Sequence, residues 1–103
     1  MNNSYTVIIN IRNGAKFLLR AIEQIEKQTV QPDKIIIFDN ASKDKTPKII
    51  RELVTENSKL YISGKSKNPL TLYKARNLAI KFAKTKFVCF LDVDDLWNHK
   101  KSE

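Results

Sequence analysis

The sequence predicts an α/β protein built on a mostly parallel sheet with helices on both faces, in the order β-α-β-α-β-α-β. Four short apolar runs alternate with three stretches whose apolar residues recur at helical spacing. The runs show little polar alternation, as expected of strands covered on both faces. Strands that alternate with helices pair in parallel through right-handed crossovers. A chain of 103 residues fits a single domain spanning 1–103.

The first run, residues 5–11, is Tyr-Thr-Val-Ile-Ile-Asn-Ile and ends at the turn signal Asn13-Gly14. Residues 15–28 carry Leu18, Ile22 and Ile25 on one side and Arg20, Glu23, Glu26 and Lys27 around the rest, an amphipathic helix. Pro32 and Asp33 interrupt the chain before a second strand over 34–39. The loop 40–45 leads to Thr46-Pro47, which predicts Thr46 as helix N-cap with Pro47 in the first helical position. Ile49, Ile50, Leu53 and Val54 form the stripe of that second helix. A short third strand is expected over 59–63. A third helix over 71–84 is expected to turn Leu72, Ala75, Leu78, Ala79 and Phe82 inward. The fourth strand, 86–92, is nearly all apolar, and Cys89 within it is expected to be a small core residue.

The composition bounds the partners. Nineteen Lys and Arg against eleven Asp and Glu give a net charge of +8, which favours anionic partners: nucleic acid, acidic membrane surfaces or phosphorylated small molecules. A single cysteine excludes an internal disulfide and suits a reducing compartment. No apolar run approaches the roughly 20 residues of a membrane helix, and the N-terminus lacks a signal-peptide pattern. A cytoplasmic setting is therefore expected, with peripheral placement at the cytoplasmic membrane face as an allied expectation. P-loop, G-x-G-x-x-G, Cys/His metal spacing and a Ser-His-Asp set are all missing from the sequence.

In a parallel sheet the ligand crevice lies beyond the carboxyl ends of the strands, here near Asn10, Asp39 and Asp92. The strongest signal is Leu91-Asp92-Val93-Asp94-Asp95-Leu96-Trp97, three carboxylates in four residues after an apolar strand. Gathered carboxylates repel, and a hard divalent cation relieves the repulsion. The competing reading has Asp94 or Asp95 capping a helix around 96–101. Asp39 ends a buried strand, where a carboxylate can accept from a base N–H or a ribose hydroxyl. Alternatively its loop simply positions the following helix. Arg76, in Lys74-Ala75-Arg76-Asn77, suits a phosphate clamp or a base-stacking guanidinium, or else a plain surface arginine.

Gln28-Thr29, Asp39-Asn40-Ala41-Ser42-Lys43-Asp44-Lys45-Thr46, Ala75-Arg76-Asn77 and Phe90-Leu91-Asp92-Val93-Asp94-Asp95 occur in the order and rough spacing of family 2 glycosyltransferases, which the chain resembles over nearly its whole length. The resemblance implies a Rossmann-like half of a GT-A fold that binds a nucleoside diphosphate sugar, with a UDP-sugar the first expectation. It places Asp39 on the base, Asp92 near the ribose and sugar, and Asp94 with Asp95 on a Mg²⁺ or Mn²⁺ ion at the diphosphate. Asn10 and Arg12 stand where the family carries Pro-Thr-Tyr-Asn, so Arg12 takes the place of a base-stacking tyrosine. The family also implies sequence beyond the Asp-x-Asp motif for the acceptor site and for the carboxylate base of inverting transfer. The domain is therefore expected to be truncated after that motif, its catalytic base unidentified. Saccharide or lipid-linked acceptors of polysaccharide biosynthesis belong to the full-length protein, and a shortened sheet is expected to self-associate through an exposed edge. Nucleic acid is not expected as a partner, because the carboxylates at the crevice oppose it. The alternative is a basic α/β module that binds nucleic acid or serves assembly without catalysis.

Overall fold

The computed structural model describes residues 4–94, with residues 92–94 as backbone alone. Strands and helices alternate as β1 (Tyr5–Arg12), α1 (Ala15–Glu26), β2 (Lys34–Asn40), α2 (Thr46–Glu56), β3 (Tyr61–Ser66), α3 (Leu72–Ile80) and β4 (Phe87–Asp94). All pairings are parallel, and the strand order is β3-β2-β1-β4. The chain moves outward from β1 to β3, then returns to the far side of β1. Right-handed crossovers made in opposite directions put their helices on opposite faces. Accordingly α1 and α2 cover one face, and α3 packs on β1 and β2 from the other. The reversal between β1 and β4 is the switch point at which such sheets open a crevice.

Strand alternation divides the core. Val7, Ile9 and Ile11 of β1 and Ile35 and Ile37 of β2 meet Leu18, Ile22 and Ile25 of α1 and Ile50 of α2. Ile8, Ile36 and Phe38 face Ala75 and Ala79 of α3. Each fully buried isoleucine contributes about 1.5–3 kcal/mol, so the two central strands hold most of the fold's apolar stabilisation. Tyr5 ties the sheet's other end, donating from its hydroxyl to the Val30 carbonyl, while the Asp33 amide donates to the Tyr5 carbonyl at 2.9 Å.

Four expectations need correction. Thr46 is the first helical residue rather than the cap of α2. Lys45 occupies the N-cap without a side-chain bond, and Pro47 does lie at the helix start. Only Ala75 and Ala79 of α3 are buried. Leu72, Leu78 and Phe82 remain exposed, Leu78 by 40%. Two alanines one turn apart let the helix sit close to the sheet, and the larger side chains flank that narrow contact. Cys89 is exposed, because among the described residues β4 pairs with β1 alone and the helices centre on β1 and β2. Phe87 and Phe90 beside it are 52% and 40% exposed. β3 also starts and ends later than expected, running to Ser66.

Candidate functional site

Asp39 is the last but one residue of β2, on the α1/α2 face and in register with Ile11 of β1 and Lys65 of β3. It is only 6% exposed, and a buried carboxylate needs donors. One is the Ser42 backbone N–H, 2.9 Å from Oδ1. Ala41 makes this bond possible by adopting a left-handed backbone, φ 57°, unusual without glycine. The turn points the Ser42 amide back at the strand end.

The loop after β1 turns in the same way. Asn13, not Gly14, holds the positive φ, at 52°. The two turns are joined: the Asn13 amide donates to Ser42 Oγ at 2.9 Å, and the Lys43 amide donates to Asn13 Oδ1 at 2.7 Å. Asp44 completes the seam. Its Oδ2 accepts from the Ala15 amide at 3.1 Å and its Oδ1 from the Thr46 amide at 2.9 Å. Neither α1 nor α2 has a bonding side chain at its own N-cap, so one carboxylate serves the first amides of both helices. Burial alone would raise the Asp44 pKa. The hydroxyl and amide of Thr46 and the amide of Ala15 outweigh it and hold the carboxyl below its ordinary value of 3.8.

Asn40 fixes a third loop. The Leu70 amide donates to its Oδ1 at 2.8 Å, and its Nδ2 donates to the Leu70 carbonyl at 2.8 Å. Ser66 Oγ reaches the same Oδ1 at 3.1 Å. This pairing needs a side chain with both donor and acceptor, which asparagine has and an ionised aspartate lacks. Thr71 then caps α3, accepting from the Lys74 amide at 3.2 Å.

Three loops at the carboxyl end of the sheet thus form one rim. A cleft of about 350 Å³ opens in it between Asp39, Ser42, Lys43, Lys65 and Lys67. A second, of about 220 Å³, reaches Asp39 from the side of Pro47, Arg51 and Gly64. Cations therefore surround Asp39, a setting for an anionic ligand that also offers an N–H. Lys65 and Lys67 escaped the sequence reading. The third strand was expected to end at residue 63, and the true end at Ser66 brings Lys65 level with Asp39.

The other expected residues divide by face. Asn10 is buried in the register of Phe38, on the α3 face. Arg76 sets its guanidinium 5.1 Å from the Phe90 ring centroid, a cation–π contact between α3 and β4. Arg12 is exposed at the end of β1. In backbone register Asn10 pairs with Asp92 and Arg12 with Asp94. Asp39 and these two aspartate positions therefore flank β1 at the same end of the sheet, roughly 10 Å apart across two strand spacings. Asp95 and the helix expected around 96–101 lie outside the described residues. Among the described residues there is no group of three or more metal-ligating side chains. The remaining donor set, Asp92-Val93-Asp94-Asp95, consists of hard oxygens and fits Mg²⁺ or Mn²⁺ better than a softer metal.

The model of the family described as "Glycosyl transferase family 2" matches residues 6–103. An uncharacterized glycosyltransferase of Rickettsia bellii is 31% identical over 98 residues, covering 95% of this chain and 14% of that protein. The Escherichia coli protein named UDP-Glc:alpha-D-GlcNAc-diphosphoundecaprenol beta-1,3-glucosyltransferase WfgD is 30% identical over 98 residues, covering 95% of this chain and 38% of its own length. The chain thus spans well under half the length of these curated relatives. Among solved structures, the mannosyltransferase PcManGT from Pyrobaculum calidifontis, in complex with GDP-Man and Mn²⁺, superposes with a TM-score of 0.78 at 22% identity. That match covers 89% of this chain and 28% of the other. It bears on the fold: the parallel sheet with helices on both faces, expected from the sequence, is the fold of that enzyme's matching portion.

Proposed function

Because the chain belongs to glycosyl transferase family 2, we propose that it forms the donor-binding part of an inverting glycosyltransferase, taking a nucleoside diphosphate sugar with a divalent cation. The observation that supports this most is the shared sheet end, where Asp39 and the register positions of Asp92 and Asp94 lie on either side of β1. Asp39 accepts from the base N–H, and its Ser42 bond keeps the carboxylate aimed at the rim. Lys43, Lys65 and Lys67 offset the negative charge of the ligand. Arg12 stacks on the base through its planar guanidinium. Asn10 and Arg76 shape the ribose side, and Asp92 lies near the ribose and sugar. Asp94 with Asp95 holds Mg²⁺ or Mn²⁺, which supplies Lewis-acid neutralisation of the departing nucleoside diphosphate.

A UDP-sugar is the proposed donor, in keeping with the donor in the Escherichia coli relative's name. Transfer to a saccharide or lipid-linked acceptor, at the cytoplasmic face of the membrane, is proposed for the full-length protein. Among the described residues no helix is long and apolar enough to cross a membrane.

Thermal unfolding with nucleotide and cation tests the donor site. UDP with Mn²⁺ is expected to raise the melting temperature, and neither Asp39→Ala nor Asp94→Ala should show the rise. GDP with Mn²⁺ is the control for base identity. A larger shift with GDP than with UDP would overturn the uridine assignment. No shift with any nucleoside diphosphate and cation would overturn the donor-site reading itself.

A further inference from the structure

The two clefts that reach Asp39 differ in every lining residue except Asp39 itself and Lys65. These two stand in register on neighbouring strands. In-register residues of parallel strands point to the same face and lie about 4.8 Å apart. A carboxylate and an ammonium therefore leave the end of the sheet side by side. The Ser42 amide occupies Asp39 Oδ1, so a ligand meets Oδ2. Lys65 is exposed, but its strand end is pinned. Ser66, the next residue, donates from Oγ to Asn40 Oδ1 at 3.1 Å, and Asn40 exchanges two bonds with Leu70. The ammonium is left free to move on its own stem alone.

Lys65 is poorly placed to serve the diphosphate. The strand order puts β3 on the far side of β2 from β1 and β4. Three strand spacings, about 14 Å, separate Lys65 from the register position of Asp94 on β4. That exceeds the Debye length of about 8 Å at physiological ionic strength, so charge offset is the smaller part of what Lys65 can do. Within its reach is the ligand group that meets Asp39. An ionised carboxylate only accepts, and an ammonium only donates. Side by side they fit a ring N–H next to a carbonyl, the edge that uracil presents with N3–H and O4 and guanine with N1–H and O6. Cytosine and adenine carry the opposite pattern, an unprotonated ring nitrogen next to an amino group. Their acceptor would face the carboxylate and their donor the ammonium. A nucleotide laid from β4 toward β2 turns this edge, the one far from its ribose, toward β3.

We infer that Lys65 is a specificity-determining residue of the donor site. Its ammonium donates to the base carbonyl next to the ring N–H that Asp39 accepts, and the pair selects uracil over cytosine. The inference rests on the donor-site reading and adds to it the residue that reads the base. Mispairing would leave both side chains without partners, and a site built on hydrogen bonds rejects such a ligand strongly.

Isothermal titration of the 103-residue chain with UDP and with CDP, each in the presence of Mn²⁺, tests the inference. The two nucleotides share shape and charge and differ at this edge. The wild-type chain is expected to bind UDP about tenfold tighter than CDP or better. Lys65→Met keeps a long stem and removes the donor. It is expected to raise the UDP Kd about tenfold, the worth of one charge-assisted hydrogen bond, and the CDP Kd less than about twofold. Lys65→Arg keeps a donor and should preserve the selectivity. Lys67→Met removes a cation outside the register of Asp39 and should weaken UDP and CDP by the same factor. Asp39→Asn combined with Lys65→Glu reverses both groups. An asparagine still accepts from the Ser42 amide through Oδ1 and turns an N–H to the base, so this variant is expected to prefer CDP. If GDP proves to bind tighter than UDP, the same comparison runs between GDP and ADP. An equal loss of UDP and CDP in Lys65→Met would overturn the inference and leave the donor site standing. So would a wild-type chain that does not distinguish the two, or a double variant that still prefers UDP. No binding of any nucleoside diphosphate would overturn the donor-site reading together with the inference.

Discussion

Asp44 is a single exposed residue that two helices depend on. Its two oxygens reach the first amides of α1 and α2, which carry the partial positive charge of each helix start. Asp44→Ala is expected to cost roughly 1–2 kcal/mol, about one cap for each helix. In a domain of this size that lowers the melting temperature by several degrees. The pH dependence has a definite sign. The folded carboxyl sits below the ordinary value of 3.8, so its ionised form stabilises the native state above that pH. The contribution disappears as pH falls through the lower folded value. Urea unfolding of wild type and Asp44→Asn should differ at pH 7, and the gap should narrow progressively as pH falls below 3.8. A gap that does not narrow with acidification would show that geometry rather than charge carries the effect. The sequence marked Asp44 as part of a helix-starting loop, but its second partner is Ala15, 29 residues earlier. No local pattern announces a cap shared across that distance.

Among the elements, α3 shows how far periodicity carries and where it stops. Its existence and approximate start were legible from the spacing of apolar residues and from Thr71. Its buried face was not, because Leu72 and Leu78 outrank alanine in hydrophobicity while the sheet selects Ala75 and Ala79 for close approach. The same holds for β4, whose apolar run is that of a covered strand although among the described residues it pairs with β1 alone. Burial depends on the neighbours, and the neighbours are set by strand order, which composition does not encode. A pair of variants separates the two readings of α3. Ala79→Leu, at a fully buried position against Ile8 and Phe38, is expected to cost about 1–3 kcal/mol through overpacking. Leu78→Ala, at a half-exposed position, is expected to cost less than about 1 kcal/mol. Denaturant midpoints with unchanged m-values measure both. If Leu78→Ala proved the more damaging, the apolar stripe read from the sequence would describe the helix better than the packing seen here.

For the whole molecule, the fold class, the element order and the position of Asp39 at a strand end were all accessible to sequence reasoning, since each rests on local pattern and on the handedness of crossovers. The lysines around Asp39 were hidden by a strand that runs three residues further than its pattern suggests.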